Sequence, residues 1–115
     1  MILSREQILA AEDLPKETID VPEWGGSVIV STMTGTRRDA FEASIVLADG
    51  RPDLIDMRAK LAVACIVDEA GEPVFSQGDI VTLGRKSAKA LERIVKVAQR
   101  LNKIGNDELE ALKGN

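Results

Sequence analysis

A long amphipathic segment, residues 87–104, limits the folds that this sequence can adopt. When the segment is plotted as a helix at about 100° per residue, apolar side chains cover an arc of roughly 200° and charged side chains cover the rest. A single packing contact needs a stripe of only about 100°. Such an arc is more often covered within its own domain than by a partner, although the width here favours a partner as well. The apolar arc, which Ser87 and Asn102 interrupt, consists of Ala88, Ala90, Leu91, Ile94, Val95, Val97, Ala98, Leu101 and Ile104.

The length and composition indicate one globular domain. A chain of 115 residues has room for one core, and 44% hydrophobic with 30% charged residues is an ordinary globular composition. The only cysteine, Cys65, lies in the apolar run 61–67, which excludes an intrachain disulfide and predicts a buried thiol. No secretory signal and no run of about 20 apolar residues is present. We expect a soluble, intracellular protein that does not enter a membrane.

The first third of the chain predicts a short helix followed by a β-hairpin. Ser4 and Gln7 have the spacing of a capping box, which predicts a helix over residues 5–13 that ends before Pro15. Residues 18–21 and 27–31 alternate between apolar and polar side chains, with Pro, Trp and Gly between them. This pattern is typical of two strands joined by a turn.

The middle of the chain predicts the helical core. A second capping-box spacing at Thr36 predicts a helix with Phe41, Ile45 and Ala48 on one stripe. A third helix is predicted over residues 53–67, with its apolar second half as the spine of the core, and a brief helix follows at 76–84.

The predicted fold class is therefore α+β, a mostly helical single domain with an N-terminal β-hairpin and a long amphipathic C-terminal helix. Within this one domain, residues 1–33 form the acidic helix and hairpin, and residues 36–104 form the helical core. Residues 105–115 form a short tail with one or two exposed turns at most.

The sequence contains no histidine, which removes the commonest general base, the commonest zinc ligand and every Ser–His or Cys–His nucleophile arrangement. No P-loop or dinucleotide fingerprint is present. A carboxylate pair such as Asp68 and Glu69 leaves a hydrolase formally open, although adjacent acids in a turn are typical of a solvated surface. We predict no catalytic residues, no metal ligands and no cofactor, and hence a protein whose work is to bind another protein.

Charge is distributed unevenly along the chain. Residues 1–26 carry two positive and six negative side chains, whereas residues 85–103 carry seven positive side chains and one negative. The basic face of the long helix could remain solvated, bind an acidic protein segment or bind nucleic acid. The acidic residues 1–26, which we call the acidic head, are one possible partner for this basic face. The overall acidity and the lack of interleaved aromatic residues argue against nucleic acid.

Trp24, the only tryptophan, lies in a predicted turn, where it either folds back onto the core or serves as an exposed binding anchor. The predicted protein-binding residues are Trp24, Leu91, Arg93, Ile94, Lys96, Val97, Arg100 and Leu101.

Short stretches with a distinctive order and spacing run through most of the chain. They are residues 21–26, 34–35, 38–44, 57–61, 68–71, 74–76, 83–87 and 98–102. In this order and at this spacing they resemble the tail assembly chaperones of siphovirus-type bacteriophages. Arg37 and Met33 depart from the family pattern without disturbing its apolar residues.

The resemblance implies a non-enzymatic chaperone that binds the tape measure protein and keeps it soluble while the tail tube assembles. It also implies the short, non-frameshifted product, with major tail protein as a possible partner of a longer frameshifted form. We further expect a homo-oligomer, because such a chaperone must hide apolar surface until its client arrives. The expected location is the host bacterial cytoplasm, and the protein should be absent from the mature virion.

Two other functions remain open on the sequence. One is a small structural connector or tail component of the virion. The other is a nucleic-acid-binding regulator that uses the basic helix.

Overall fold

Five α-helices and three β-strands form the part of the chain that the computed structural model describes, residues 1–104. The helices are α1 (Arg5–Ala10), α2 (Gly35–Ser44), α3 (Met57–Cys65), α4 (Ile80–Gly84) and α5 (Ala88–Asn102). The strands are β1 (Lys16–Val21), β2 (Gly26–Ser31) and β3 (Ile66–Val67). The predicted α+β fold with an N-terminal hairpin and a long final helix is confirmed. The predicted tail, 105–115, lies outside the described residues.

The predicted hairpin is the first part of an antiparallel sheet with the strand order β1-β2-β3. Lys16 pairs with Ser31 and Val21 pairs with Gly26, so the two strands are in register along their full length. A 3₁₀ turn, Pro22–Trp24, connects them. The turn closes at Gly25, whose φ of 73° lies in the left-handed region that glycine adopts without strain.

The predicted spine of the core is confirmed, although its last two residues are not helical. All residues from 61 to 67 are buried. Ile66 and Val67 leave α3 and pair with Val30 and Ile29 of β2, which suits β-branched side chains on a sheet. The helix also begins later than predicted, at Met57 rather than at residue 53. Asp56 precedes it with a φ of 56°, and this left-handed residue separates the loop from the helix.

The predicted start of α2 is wrong by two residues. Thr34, and not Thr36, is the cap, and its hydroxyl oxygen accepts a hydrogen bond from the backbone N–H of Arg37 at 3.1 Å. Phe41 and Ile45 are buried as predicted, whereas Ala48 lies beyond the end of the helix and is exposed. The helix ends early because the chain turns back on itself, with a bridge between Val46 and Pro52.

The first helix has the predicted capping box but is shorter than predicted. The backbone N–H of Ser4 donates to the Gln7 side chain at 2.8 Å, and the N–H of Gln7 donates to the Ser4 hydroxyl at 3.2 Å. The helix ends at Ala10 because Ala11 adopts an extended conformation. Every residue from 1 to 16 is exposed.

The hydrophobic core lies where α5 contacts α3 on one side and the hairpin on the other. Leu61 of α3, Ile94 of α5 and Val30 of β2 are among its most deeply buried side chains. Of the helices in residues 1–104, none has both the length and the hydropathy to cross a membrane. The same residues hold no group of three or more Cys, Asp or Glu side chains arranged to bind a metal ion.

Candidate protein-binding surface

The apolar face of α5 lies inside the domain. Leu91 and Ile94 are buried, and Val97 and Leu101 are half-buried against the core. Because α3 covers this face from one side and the hairpin covers it from the other, the domain itself accounts for the width of the apolar arc. The width therefore gives no evidence for a partner, and a binding role for these residues stays a prediction. In this conformation neither Leu91 nor Ile94 reaches the surface.

The basic face of α5 meets the acidic head through Arg93. Its guanidinium donates to both carboxylate oxygens of Glu23, with nitrogen–oxygen distances of 2.9, 3.1 and 3.2 Å. Glu23 lies in the 3₁₀ turn of the hairpin, so the ion pair fixes that turn against the helix. The Arg93 guanidinium holds the pKa of the Glu23 carboxyl below its usual range, with smaller help from backbone hydrogen bonding and from Lys89.

Two further ion pairs among residues 1–104 hold α5 in place. Arg100 donates to Glu17 of β1, and Arg58 of α3 donates to Glu92. Both predicted binding arginines, Arg93 and Arg100, thus contact acidic residues near the N-terminus of the same chain. Lys96 is exposed and has no ion pair with any residue in the range 1–104. Of the three charged residues predicted to bind a partner, Lys96 is the one without an ion pair among residues 1–104.

Replacing Glu23 by glutamine is expected to remove a stabilising contribution that depends on pH. The folded-state pKa of Glu23 is lowered, so its ion pair stabilises the fold above the ordinary carboxyl pKa of 4.5. This stabilisation is lost as the pH falls through the folded-state value. Urea unfolding of both proteins at several pH values measures the difference, which should shrink below pH 4.5.

The matched control is Glu12→Gln, because Glu12 is exposed and has no ion pair within residues 1–104. This variant should follow the wild type at every pH. A difference between wild type and Glu23→Gln that persists unchanged in acid would contradict the role given to the ion pair.

Trp24 is half-buried and packs against the core at the end of the hairpin. Its indole also forms one wall of a surface groove of about 460 Å³, and Phe75, Thr82 and Leu83 line the same groove. Trp24 therefore combines the two interpretations that the sequence left open. It folds back onto the domain and still contributes apolar surface to a groove.

Asn102 is a structural residue that sequence reasoning recorded only as a gap in the apolar arc. Its side-chain oxygen accepts from the backbone N–H of Met33 at 2.7 Å. Its amide nitrogen donates to the backbone carbonyl of Ala98 at 2.8 Å and contacts the Cys65 sulfur at 3.5 Å. The sequence signal for this structural role is a polar residue at a position of α5 that is otherwise apolar. Burial raises the pKa of the Cys65 thiol to about 12.

A solved structure shares the fold of this chain, although the two sequences differ widely. No protein-family profile and no curated protein matches the chain. The solved structure of the bacteriophage HK97 tail assembly chaperone matches it with a TM-score of 0.60 and 20% identity. The match covers 87% of this chain and 94% of that one. This protein therefore has the fold of the HK97 tail assembly chaperone over nearly the whole of both chains.

Proposed function

We propose that the protein is a non-enzymatic phage tail assembly chaperone that binds the tape measure protein and keeps it soluble while the tail tube assembles. The observation that carries the proposal is the common fold with the HK97 tail assembly chaperone, which spans 87% of this chain. The ordered motifs from Val21 to Asn102, which resemble the same family, support it independently.

The apolar and the charged residues at the surface bear differently on binding. Large apolar side chains are exposed at several places outside the core, among them Ile55 at 75% and Val81 at 58%. Exposed apolar side chains of this size mark surfaces for partners where they cluster. The basic face of α5 has fewer charges available to a partner than its composition indicates, because Arg93 and Arg100 form ion pairs with the acidic head. This engagement also weakens the case for a nucleic-acid-binding regulator.

The remaining parts of the proposal follow the family resemblance. The chain is the short, non-frameshifted product, and a longer form recruits major tail protein. It acts in the host bacterial cytoplasm and leaves before the virion is complete. Mass spectrometry of finished particles separates this role from that of a structural tail component, because only a structural component is present there.

The test is co-expression with the tape measure protein of the same phage genome. The chaperone is expected to raise the soluble fraction of the tape measure protein and to co-purify with it. Equal insolubility with and without the chain would overturn the proposal.

A single charge reversal, Lys96→Glu, tests the basic face without breaking an ion pair among residues 1–104. Reversal of Arg93 or Arg100 would disturb the hairpin as well, because Glu23 and Glu17 hold them. If Lys96→Glu co-purifies as well as the wild type, the client is bound elsewhere.

A further inference from the structure

The first strand of the sheet, β1, has an open edge. It lies at one side of the sheet, and among residues 1–104 only β2 pairs with it. The N–H of Thr32 donates to the carbonyl of Pro15 at 2.9 Å, and in an antiparallel ladder the residues that exchange such bonds alternate along the strand. The β1 residues that bond to β2 are therefore Glu17, Ile19 and Val21. The backbone N–H and carbonyl groups of Thr18 and Asp20 point to the open edge.

A groove of about 420 Å³ lies along this edge, between β1 and α5. Ile19 and Asp20 both line it. Because consecutive residues of a strand point to opposite faces of the sheet, a groove that touches both lies at the edge of β1. Half-buried Ile19 and Val97 give it an apolar floor. We call it the β1 edge groove, and its helical side consists of Lys89, Glu92, Arg93, Lys96 and Val97.

Two ion pairs fix α5 beside the open edge. Arg100 contacts Glu17 near the start of β1, and Arg93 contacts Glu23 just beyond the end of the strand. The helix therefore runs antiparallel to β1 along its length. Lys96 lies on α5 between the two arginines and lines the groove.

The groove carries positive charge that its own domain does not neutralise. Lys89 and Lys96 are exposed, and neither has an ion pair with any residue in the range 1–104. Glu92, on the same wall, is already paired with an arginine of α3. Asp20 accepts a hydrogen bond from the hydroxyl of Ser27 at 2.8 Å. The charge that remains available in the groove therefore favours an acidic partner.

We propose that the β1 edge groove binds an extended segment of another protein, which pairs with β1 as an additional strand. Main-chain hydrogen bonds to the open edge hold such a segment, and alternate side chains select it. The side chains that face α5 are an apolar one over Ile19 and Val97 and acidic ones beside Lys89 and Lys96. The segment therefore has an apolar residue and acidic residues at alternate positions.

The inference deepens the proposed function and rests on it for the source of the segment, which is the tape measure client. The proposed function names that client but neither the part of it that binds nor the manner of binding. The groove supplies both, because its open backbone groups require an extended chain and its lysines require acidic side chains.

A synthetic peptide with blocked ends and the sequence TETVTET is the probe. Its glutamates and valine alternate with threonines, and it reads the same in both directions, so it suits either strand direction. Isothermal titration calorimetry with the wild-type chain measures binding. The control peptide TKTVTKT reverses both charges and should bind at least about tenfold more weakly.

Methylation of the peptide nitrogens tests whether the segment binds as a strand. Successive N–H groups of a strand point to opposite edges, so only one alternate set can face β1. Two versions of TETVTET carry N-methyl groups either on the inner threonines or on the glutamates and the valine. One version should bind about tenfold or more weakly, because the donors that face β1 are removed, and the other should bind as the parent does. No difference between the two versions would count against strand pairing.

Thr18→Pro is the matching change in the protein. Proline removes the edge-facing N–H of Thr18 while the bonds between β1 and β2 remain, and an edge strand tolerates proline in this orientation. Peptide binding should fall at least about tenfold. Thr18→Val keeps the N–H and is the control. Circular dichroism shows whether Thr18→Pro is folded, and the methylated peptides decide the question if it is not.

Lys96→Glu tests the charge of the groove and should also weaken peptide binding at least about tenfold. The matched control is Arg85→Glu, which changes the net charge equally. Arg85 is exposed, precedes α5 and does not line the groove. An equal loss of binding in both variants would show general charge attraction and would contradict a site at this groove.

A wild type that does not bind TETVTET would overturn the proposal. Binding that appears only on dilution, or only after removal of residues 105–115, would overturn it as well. In those cases a second copy, or the chain's own C-terminal residues, would occupy the groove.

Co-expression with the tape measure protein separates this inference from the proposed function. If the wild type keeps the tape measure protein soluble and Thr18→Pro does so equally well, the groove is not the client site and the proposed function stands. If the peptide binds as expected but the wild type leaves the tape measure protein insoluble, the proposed function fails, and with it the source given to the segment.

Discussion

Ile94→Ala is expected to lower the free energy of unfolding by about 2–5 kcal/mol. Ile94 has no exposed surface and lies in the core, where α5 is covered by α3 and by the hairpin. Removing three methyl or methylene groups there loses their burial and leaves a cavity that the surrounding elements fill only in part. Urea unfolding followed by circular dichroism measures the loss.

The matched control lies two residues further along the same helix. Lys96 is exposed, so Lys96→Ala should change the stability by no more than about 0.5 kcal/mol. The same comparison tests whether Ile94 binds a partner, as the sequence analysis predicts. If Ile94 served a partner and not the core, Ile94→Ala would lose the client while its unfolding curve matched that of Lys96→Ala.

The parts of the fold that could be predicted from sequence are those set by local periodicity. The alternation at residues 18–21 and 27–31 identified the hairpin, and the spacing from Ala90 to Ala98 identified α5. Ser4 and Ser87 cap their helices through their own hydroxyls, so the chemistry of a few neighbouring residues determined both starts.

The parts that could not be predicted depend on tertiary contacts. Ile66 and Val67 look like a continuation of the α3 pattern, and only the presence of β2 beside them makes them a strand. The same holds for the charged residues of the candidate surface. Composition shows an acidic head and a basic helix, but it does not show that Glu23 meets Arg93 across 70 residues of chain.

The role of Asn102 also depends on a tertiary contact, and its substitution is expected to have a large effect on stability. Asn102→Ala is expected to lower the free energy of unfolding by about 1–3 kcal/mol, because the half-buried N–H of Met33 loses its acceptor. The contact joins the end of the hairpin to the last turn of α5, so its loss should open that end of the core. Urea unfolding measures the loss of stability.

The thiol of Cys65 provides an independent test of where the structure opens. Burial raises its pKa to about 12, and the hydrogen bond from Asn102 acts in the opposite direction. If the core stayed closed, losing that hydrogen bond would raise the pKa of the thiol further and make it less reactive. If this end of the core opens, the thiol is exposed and reacts faster. A faster reaction with a thiol reagent therefore indicates opening. The expected acceleration in Asn102→Ala is about 5- to 150-fold, which corresponds to the predicted loss of stability. Asn102→Asp keeps an oxygen for the Met33 N–H and should lose less stability. An unchanged or slower thiol reaction in Asn102→Ala would show that Asn102 does not hold this end of the core closed.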